Sequence, residues 1–227
     1  MTRNLIAANW KSHKSLEETK QFFETLTQSK DRLGTNQTDV VICPSFTSLE
    51  TAKKLRDAMN LSVLLGGQDV SPFPEGAYTG AIAATQLREI AEYVIIGHSE
   101  RRSHFGESEA MIEQKINQAK EAGLQVILCV QDAQGIVYEG VDVVAYEPIS
   151  AIGTGNPDSP ENVIQVLETL HERYPSVRLL YGGSVDKNSI HTFTQIPLLH
   201  GFLVGGASLE PESFLHLIAA CDTRNSH

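Results

Sequence analysis

The chain has 227 residues, a length that a single α/β barrel fills alone and that hides roughly 70% of the extended-chain surface, so folding requires no disulfide, metal or partner. Hydrophobic residues at 41%, charged residues at 20%, 17 glycines and 9 prolines exclude a disordered or collagen-like polymer. A formal net charge of -10 argues against general affinity for nucleic acid or an anionic membrane, so an anionic ligand would need a locally positive site.

In chain order, short apolar runs predict strands at 4–8, 40–43, 62–65, 93–96, 126–130, 141–145, 177–180 and 202–204. Their apolar character is nearly continuous, as in parallel strands covered on both faces. Helical segments lie between them. Ser15 with Glu18 forms a capping box before a face of Leu16, Thr19, Phe22, Phe23 and Leu26. Thr47 with Glu50 repeats that logic before Leu49, Ala52, Leu55 and Met59. Ser108 precedes Met111, Ile112, Ile116 and Ala119, with Gly123 placed as a C-terminal cap. Ser159 caps a helix opening on Pro160, and Glu210 before Pro211 opens the last one.

Eight strands alternating with helices could close a barrel or open into a doubly wound sheet; the count favours a (β/α)8 barrel in a single domain over residues 1–227. Between 131 and 140 no amphipathic helix is legible, so the connection between strands five and six is expected to be a loop or one turn. Cys43, Cys129 and Cys221 lack the spacing of a disulfide framework or a zinc site. A reducing cytoplasm fits, and no run reaches the ~18 apolar residues of a membrane span.

Barrel chemistry sits on loops after the C-terminal strand ends. Those positions hold Asn9, Trp10 and Lys11 after strand one, the run from Gly97 to Arg102 after strand four, Glu147 after strand six, Gly182, Gly183 and Ser184 after strand seven, and Gly205 and Gly206 after strand eight. Paired glycines at the last two strands let backbone N–H groups approach a phosphate. Taken singly, a strand-end glutamate is usually solvated, a strand-end histidine usually a hydrogen-bonded structural group, and Arg101 and Arg102 are structural ion-pair partners. Cys129 reads as a small buried residue rather than a nucleophile.

The segments Ala8-Asn9-Trp10-Lys11, Ile96-Gly97-His98-Ser99-Glu100-Arg101-Arg102, Ala145-Tyr146-Glu147-Pro148, Ala151-Ile152-Gly153-Thr154-Gly155, Tyr181-Gly182-Gly183-Ser184-Val185 and Leu203-Val204-Gly205-Gly206-Ala207-Ser208-Leu209 resemble the triosephosphate isomerase family. They stand in the family's order and span nearly the whole chain. The resemblance implies a TIM barrel that interconverts dihydroxyacetone phosphate and D-glyceraldehyde 3-phosphate through an enediolate, in glycolysis and gluconeogenesis, with no cofactor and no metal. It implies Glu147 as the base, His98 as the neutral electrophile, Lys11 and Asn9 as charge stabilisers and Glu100 as Lys11's ion-pair partner. Backbone groups at Gly153, Ser184, Gly205 and Gly206 would hold the substrate phosphate. Pro148, Ile149, Ser150, Ala151, Ile152, Gly153, Thr154 and Gly155 would form a lid, with a rigid proline at one hinge and small residues at the other. A helix start at His98 would depress its pKa.

Four departures from the family stand out. Ser150 occupies a lid position that usually carries tryptophan, and Cys129 is followed by Val130-Gln131-Asp132 rather than Gly-Glu. Residues 68–80 resemble the loop that the family inserts into a neighbouring subunit, with Thr79 reaching the neighbour's site; a homodimer is implied. Ala81 replaces the glutamate that commonly meets the neighbour's counterpart of Arg101. The missing fifth connecting helix resembles compact archaeal forms, some tetrameric, so a tetramer is the alternative. Two other functional readings compete. A different phosphate-gripping barrel isomerase predicts other strand-end acids and bases, and a non-enzymatic barrel scaffold predicts loss of one of Asn9, Lys11, His98 or Glu147.

Overall fold

The structure, a computed structural model, describes residues 3–33, 37–149 and 157–222. Its strands are β1 (Asn4–Asn9), β2 (Thr38–Cys43), β3 (Leu64–Gly67), β4 (Tyr93–Ile96), β5 (Gln125–Val130), β6 (Val143–Tyr146), β7 (Arg178–Tyr181) and β8 (Gly201–Val204). Every neighbouring pair is parallel, and β8 closes on β1, so the expected eight-stranded barrel is what forms. The helices are α1 (Leu16–Gln28), α2 (Phe46–Met59), α3 (Ala84–Arg88), α4 (Ser99–Phe105), α5 (Glu109–Glu121), α6 (Pro160–Arg173), α7 (Ile190–Phe193) and α8 (Pro211–Asp222). Between β5 and β6 the chain passes through turns without a helix, as the sequence indicates.

Strand alternation divides the apolar residues into two layers. Leu5, Ala7, Val41, Cys43, Ile95, Ile127, Cys129, Val143, Ala145 and Leu203 fill the barrel interior. Ile6, Ala8, Val40, Ile42, Val94, Ile96, Leu128 and Val144 face outward into the helical shell. Continuing that alternation past the interior layer places Asn9 of β1 and Glu147, just beyond β6, at the next inward positions. The polar mouth of the barrel is therefore the next turn of the same pattern that builds its dry core.

The caps behave as their chemistry dictates. Ser15 Oγ accepts the Glu18 N–H at 3.3 Å while Glu18 Oε2 accepts the Ser15 N–H at 2.7 Å, completing the capping box. Ser108 caps α5 through the Met111 N–H, and Gly123 leaves it at φ 79°. Ser159 caps α6 with Pro160 at its start. Three local expectations are corrected. Helix α2 begins at Phe46 after Ser45, so Thr47 lies inside its first turn and Glu50 beyond that turn, rather than the two bracketing its start. Leu16 and Met111, expected on buried faces, are 54% and 36% exposed; each lies in the first turn of its helix, ahead of the covered stretch. Strand β3 runs two residues later than 62–65. Its glycines are strand interior, because a Cβ on Gly66 would come within 2.5 Å of Cys43 Sγ and one on Gly67 within 2.6 Å of Leu87. Packing from neighbouring elements demands glycine there, whereas local propensity would end the strand.

Candidate active site

A cavity of about 260 Å³ opens at the C-terminal end of the barrel, lined by Asn9, Lys11, His98, Glu147, the β7 loop from Gly182 to Asp186, and Leu203, Gly205, Gly206 and Ala207 from the β8 side. The structure thus brings together Asn9, Lys11, His98, Glu147, Ser184, Gly205 and Gly206. Glu100 stands behind Lys11 and reaches it at 2.5 Å. Thr79 lies elsewhere, exposed on the loop after β3. Pro148 and Ile149 follow Glu147, but Ser150, Ala151, Ile152, Gly153, Thr154 and Gly155 lie outside the described residues, and with them the Gly153 phosphate contact.

Each side chain is set by a distinct local device. Lys11 occupies the left-handed region at φ 53°, an unfavourable conformation for a residue with a Cβ. Two tethers hold it there. Its N–H donates to Asn9 Oδ1 at 3.0 Å, and Gln68 Nε2 donates to both Lys11 O and Cys43 O at 2.9 Å. Burial pushes the Glu100 pKa up, but the hydrogen bond and charge of Lys11 prevail and hold it below the ordinary carboxylate value.

His98 is the N-cap of α4, following Gly97 at φ 71°. Its Nδ1 accepts the Glu100 N–H at 3.2 Å, so the ring proton belongs on Nε2, the atom facing Glu147. Glu147 is 2% exposed, with Oε1 3.1 Å from His98 Nε2 and Oε2 accepting the Ser99 N–H at 3.2 Å. The expected depression of the His98 pKa is overturned. Burial works in that direction, but the charge and hydrogen bond of Glu147, with Glu100 behind, carry it above the ordinary imidazole value. The helix start is present; a buried carboxylate in contact outweighs it.

Sequence reasoning missed the part played by Gly182. It reads as half of a phosphate loop, yet a Cβ at 182 would lie 2.8 Å from Glu147 Cγ, so its first effect is to leave room for that side chain. No local signal distinguishes the two roles, since Glu147 is 35 positions away. Cys129 also lies beside Glu147 and is buried, and burial together with that carboxylate pushes its thiol pKa well above normal, which disfavours the thiolate. Asp132 does not take over the place of the family's glutamate: its Oδ1 accepts the Gln134 N–H at 2.8 Å within an exposed turn. Among the described residues no cluster of three or more histidine, cysteine or acidic side chains could hold a metal ion.

Residues 4–221 match the family model described as Triosephosphate isomerase. The chain is 38% identical to a Triosephosphate isomerase of Thermus thermophilus, over 96% of this chain and 98% of that one. Similar relatives under the same name occur in Dictyoglomus thermophilum, at 37% over 96% and 99%, and in Aquifex aeolicus, at 36% over 95% and 98%.

Proposed function

The chain belongs to the triosephosphate isomerase family and is an isomerase, and from that premise we propose how its residues divide the interconversion of dihydroxyacetone phosphate and D-glyceraldehyde 3-phosphate. The observation that carries the reading is one contact in one cavity: Glu147 Oε1 and His98 Nε2, 3.1 Å apart, open onto the same space as Lys11 and the glycine loops after β7 and β8.

Glu147 takes a proton from one carbon of the triose and returns it to the adjacent carbon. A carboxylate that is 2% exposed has little hydration to shed before attacking a weakly acidic C–H bond. The electron pair left behind passes to the carbonyl oxygen and forms an enediolate. His98 donates its Nε2–H to that oxygen and takes the proton of the neighbouring hydroxyl in return as the new carbonyl forms, and Lys11 with Asn9 offsets the negative charge. When Glu147 turns from the ring to the substrate carbon, His98 loses the neighbour that raises its pKa, while its Nδ1 stays committed to the Glu100 N–H. The ring then works as a neutral donor.

Backbone N–H groups at Ser184, Gly205 and Gly206, joined by Gly153, hold the phosphate, and residues 148–155 cover it as a lid. Binding energy from the phosphate, remote from the reacting carbons, drives that covering. No cofactor or metal enters the scheme. The pathway roles are glycolysis and gluconeogenesis, in the cytoplasm; no helix among the described residues is long and apolar enough to cross a membrane.

A homodimer, with a tetramer as alternative, is supported by the loop after β3. There Phe73 and Tyr78 stack at 4.4 Å between centroids while remaining 43% and 42% exposed, an apolar tip that a second subunit would cover. The family's usual cross-subunit partner of Arg101 is replaced by Ala81, and Arg101 is engaged within its own chain by Asp69 at 2.8 Å. Light scattering tests the assembly: a mass of one subunit for the unmodified chain refutes it, and Thr79→Asp is expected to shift a dimer toward monomer.

A coupled isomerase assay on the purified protein and on Glu147→Gln tests the mechanism. Loss of a positioned base is expected to lower kcat by roughly 100-fold or more. A variant that keeps rates near the unmodified protein removes Glu147 from the scheme.

A further inference from the structure

Asp158 is the meeting point of three elements at the mouth of the barrel. Its Oδ2 accepts the Tyr146 hydroxyl at 3.1 Å and the side-chain amide of Asn162, and its Oδ1 accepts the Ser159 N–H at 2.8 Å. Its own N–H donates to the Tyr181 hydroxyl at 2.8 Å. Tyr146 ends β6 directly before Glu147 and is buried. The backbone at this point is pinned as well: Tyr146 O accepts the Gly182 N–H and Glu147 N–H donates to Val130 O, both at 2.8 Å.

We infer that Asp158 is a positioning residue for Glu147, acting through the Tyr146 hydroxyl. A strand end can twist where its ladder gives out, and beyond β6 the ladder gives out at the proposed base itself, whose N–H still reaches Val130 O. The carboxylate adds a side-chain tie beside those backbone bonds. It sits just ahead of α6, where the positive end of the helix dipole favours an ionised group and where the Ser159 N–H and the Asn162 amide fix its orientation. A charged acceptor makes the stronger hydrogen bond to a phenol, so a half-buried aspartate holds Tyr146 more firmly than water would. Asp158 does not line the cavity and so touches no substrate; its effect reaches the reaction through where Glu147 stands. Displacement of a reacting group by about 1 Å costs up to ~100-fold in rate.

The inference rests on Glu147 as the base, and steady-state kinetics of the full-length protein separate the two. Tyr146→Phe, which removes the tie and keeps the ring, and Asp158→Ala are each expected to lower kcat on the order of 10-fold with KM within about twofold. The double variant is expected to be no slower than the slower single one, because both remove the same link. Asp158→Asn, which keeps an acceptor for the hydroxyl, is expected to recover most of the rate. An unchanged kcat for Tyr146→Phe, or losses that multiply in the double variant, overturns the positioning role and leaves Asp158 as a structural link ahead of α6. Should Asp158→Ala fail to fold, Tyr146→Phe and Asp158→Asn still decide it. If Glu147→Gln retains activity, the base assignment and this inference fall together; if only Tyr146→Phe retains it, this inference falls alone.

Discussion

Two groups of charged side chains flank helix α4, and they are wired in opposite ways. On one side Lys115 Nζ, with its side chain 3% exposed, holds both Asp69 and Glu107, and Glu107 in turn takes Arg101. Every charge there has an opposite charge in contact. On the other side Lys11 meets Glu100, and Glu147 shares one contact with a ring that need not be charged. Both groups border a cavity, of about 350 Å³ and 260 Å³. Proximity to a cavity therefore does not mark the reactive set. What separates them is pairing: in the first group the charges are spent on one another, whereas in the second Glu147 and His98 are held by weak, exchangeable contacts and aimed where charge would develop in a reaction.

Breaking the saturated group should give the largest effect, and it should appear in stability. Lys115→Met leaves buried Glu107 and half-buried Asp69 without their shared cation, which is expected to cost about 3 kcal/mol. Chemical denaturation checks this, and a loss below about 1 kcal/mol would mean that Arg101 alone satisfies both acids.

Crowding the open group should instead appear in rate. Gly182→Ala places a methyl against Glu147 Cγ and is expected to lower kcat on the order of 10-fold, or ~1.4 kcal/mol in the barrier. The thermal midpoint should change less than for Lys115→Met. Equal rates in the variant and the parent would show that Glu147 relocates at no cost.

The smallest effect is a pH dependence that sharpens the contrast. Glu147 raises the folded-state pKa of His98, so their interaction stabilises fully below the unfolded imidazole value of ~6.5 and fades as pH rises through the folded pKa. The difference in thermal midpoint between the parent and Glu147→Gln should accordingly be greatest in mild acid and shrink in mild base. A difference that grows with pH would contradict the contact.

Much of this was legible in the sequence because it is local. Ser15 with Glu18, and Ser159 with Pro160, announce helix starts within four residues. Continuous apolar runs announce buried parallel strands, and the residues that follow them announce the mouth of the barrel. The pairing of Lys11 with Glu100 followed from the resemblance and is present in the structure. The failures share one cause. Gly66 and Gly67 look like a strand end, but Cys43 and Leu87 occupy the space their side chains would need. Gly182 looks like a turn until Glu147 is placed beside it. A helix start predicts a depressed His98 pKa, and a carboxylate from another strand reverses the sign.

The sequence by itself determined the alternation of strands and helices, the absence of a helix between β5 and β6, the family, and the identity of the strand-end acids and bases, since each depends on residue type and near spacing. Tertiary structure alone decided which glycines make room for a reacting group, which carboxylate faces His98 Nε2, and which charges are already spent. Those properties depend on atoms within a few ångströms that are dozens of residues apart along the chain, and only the closed barrel brings them together.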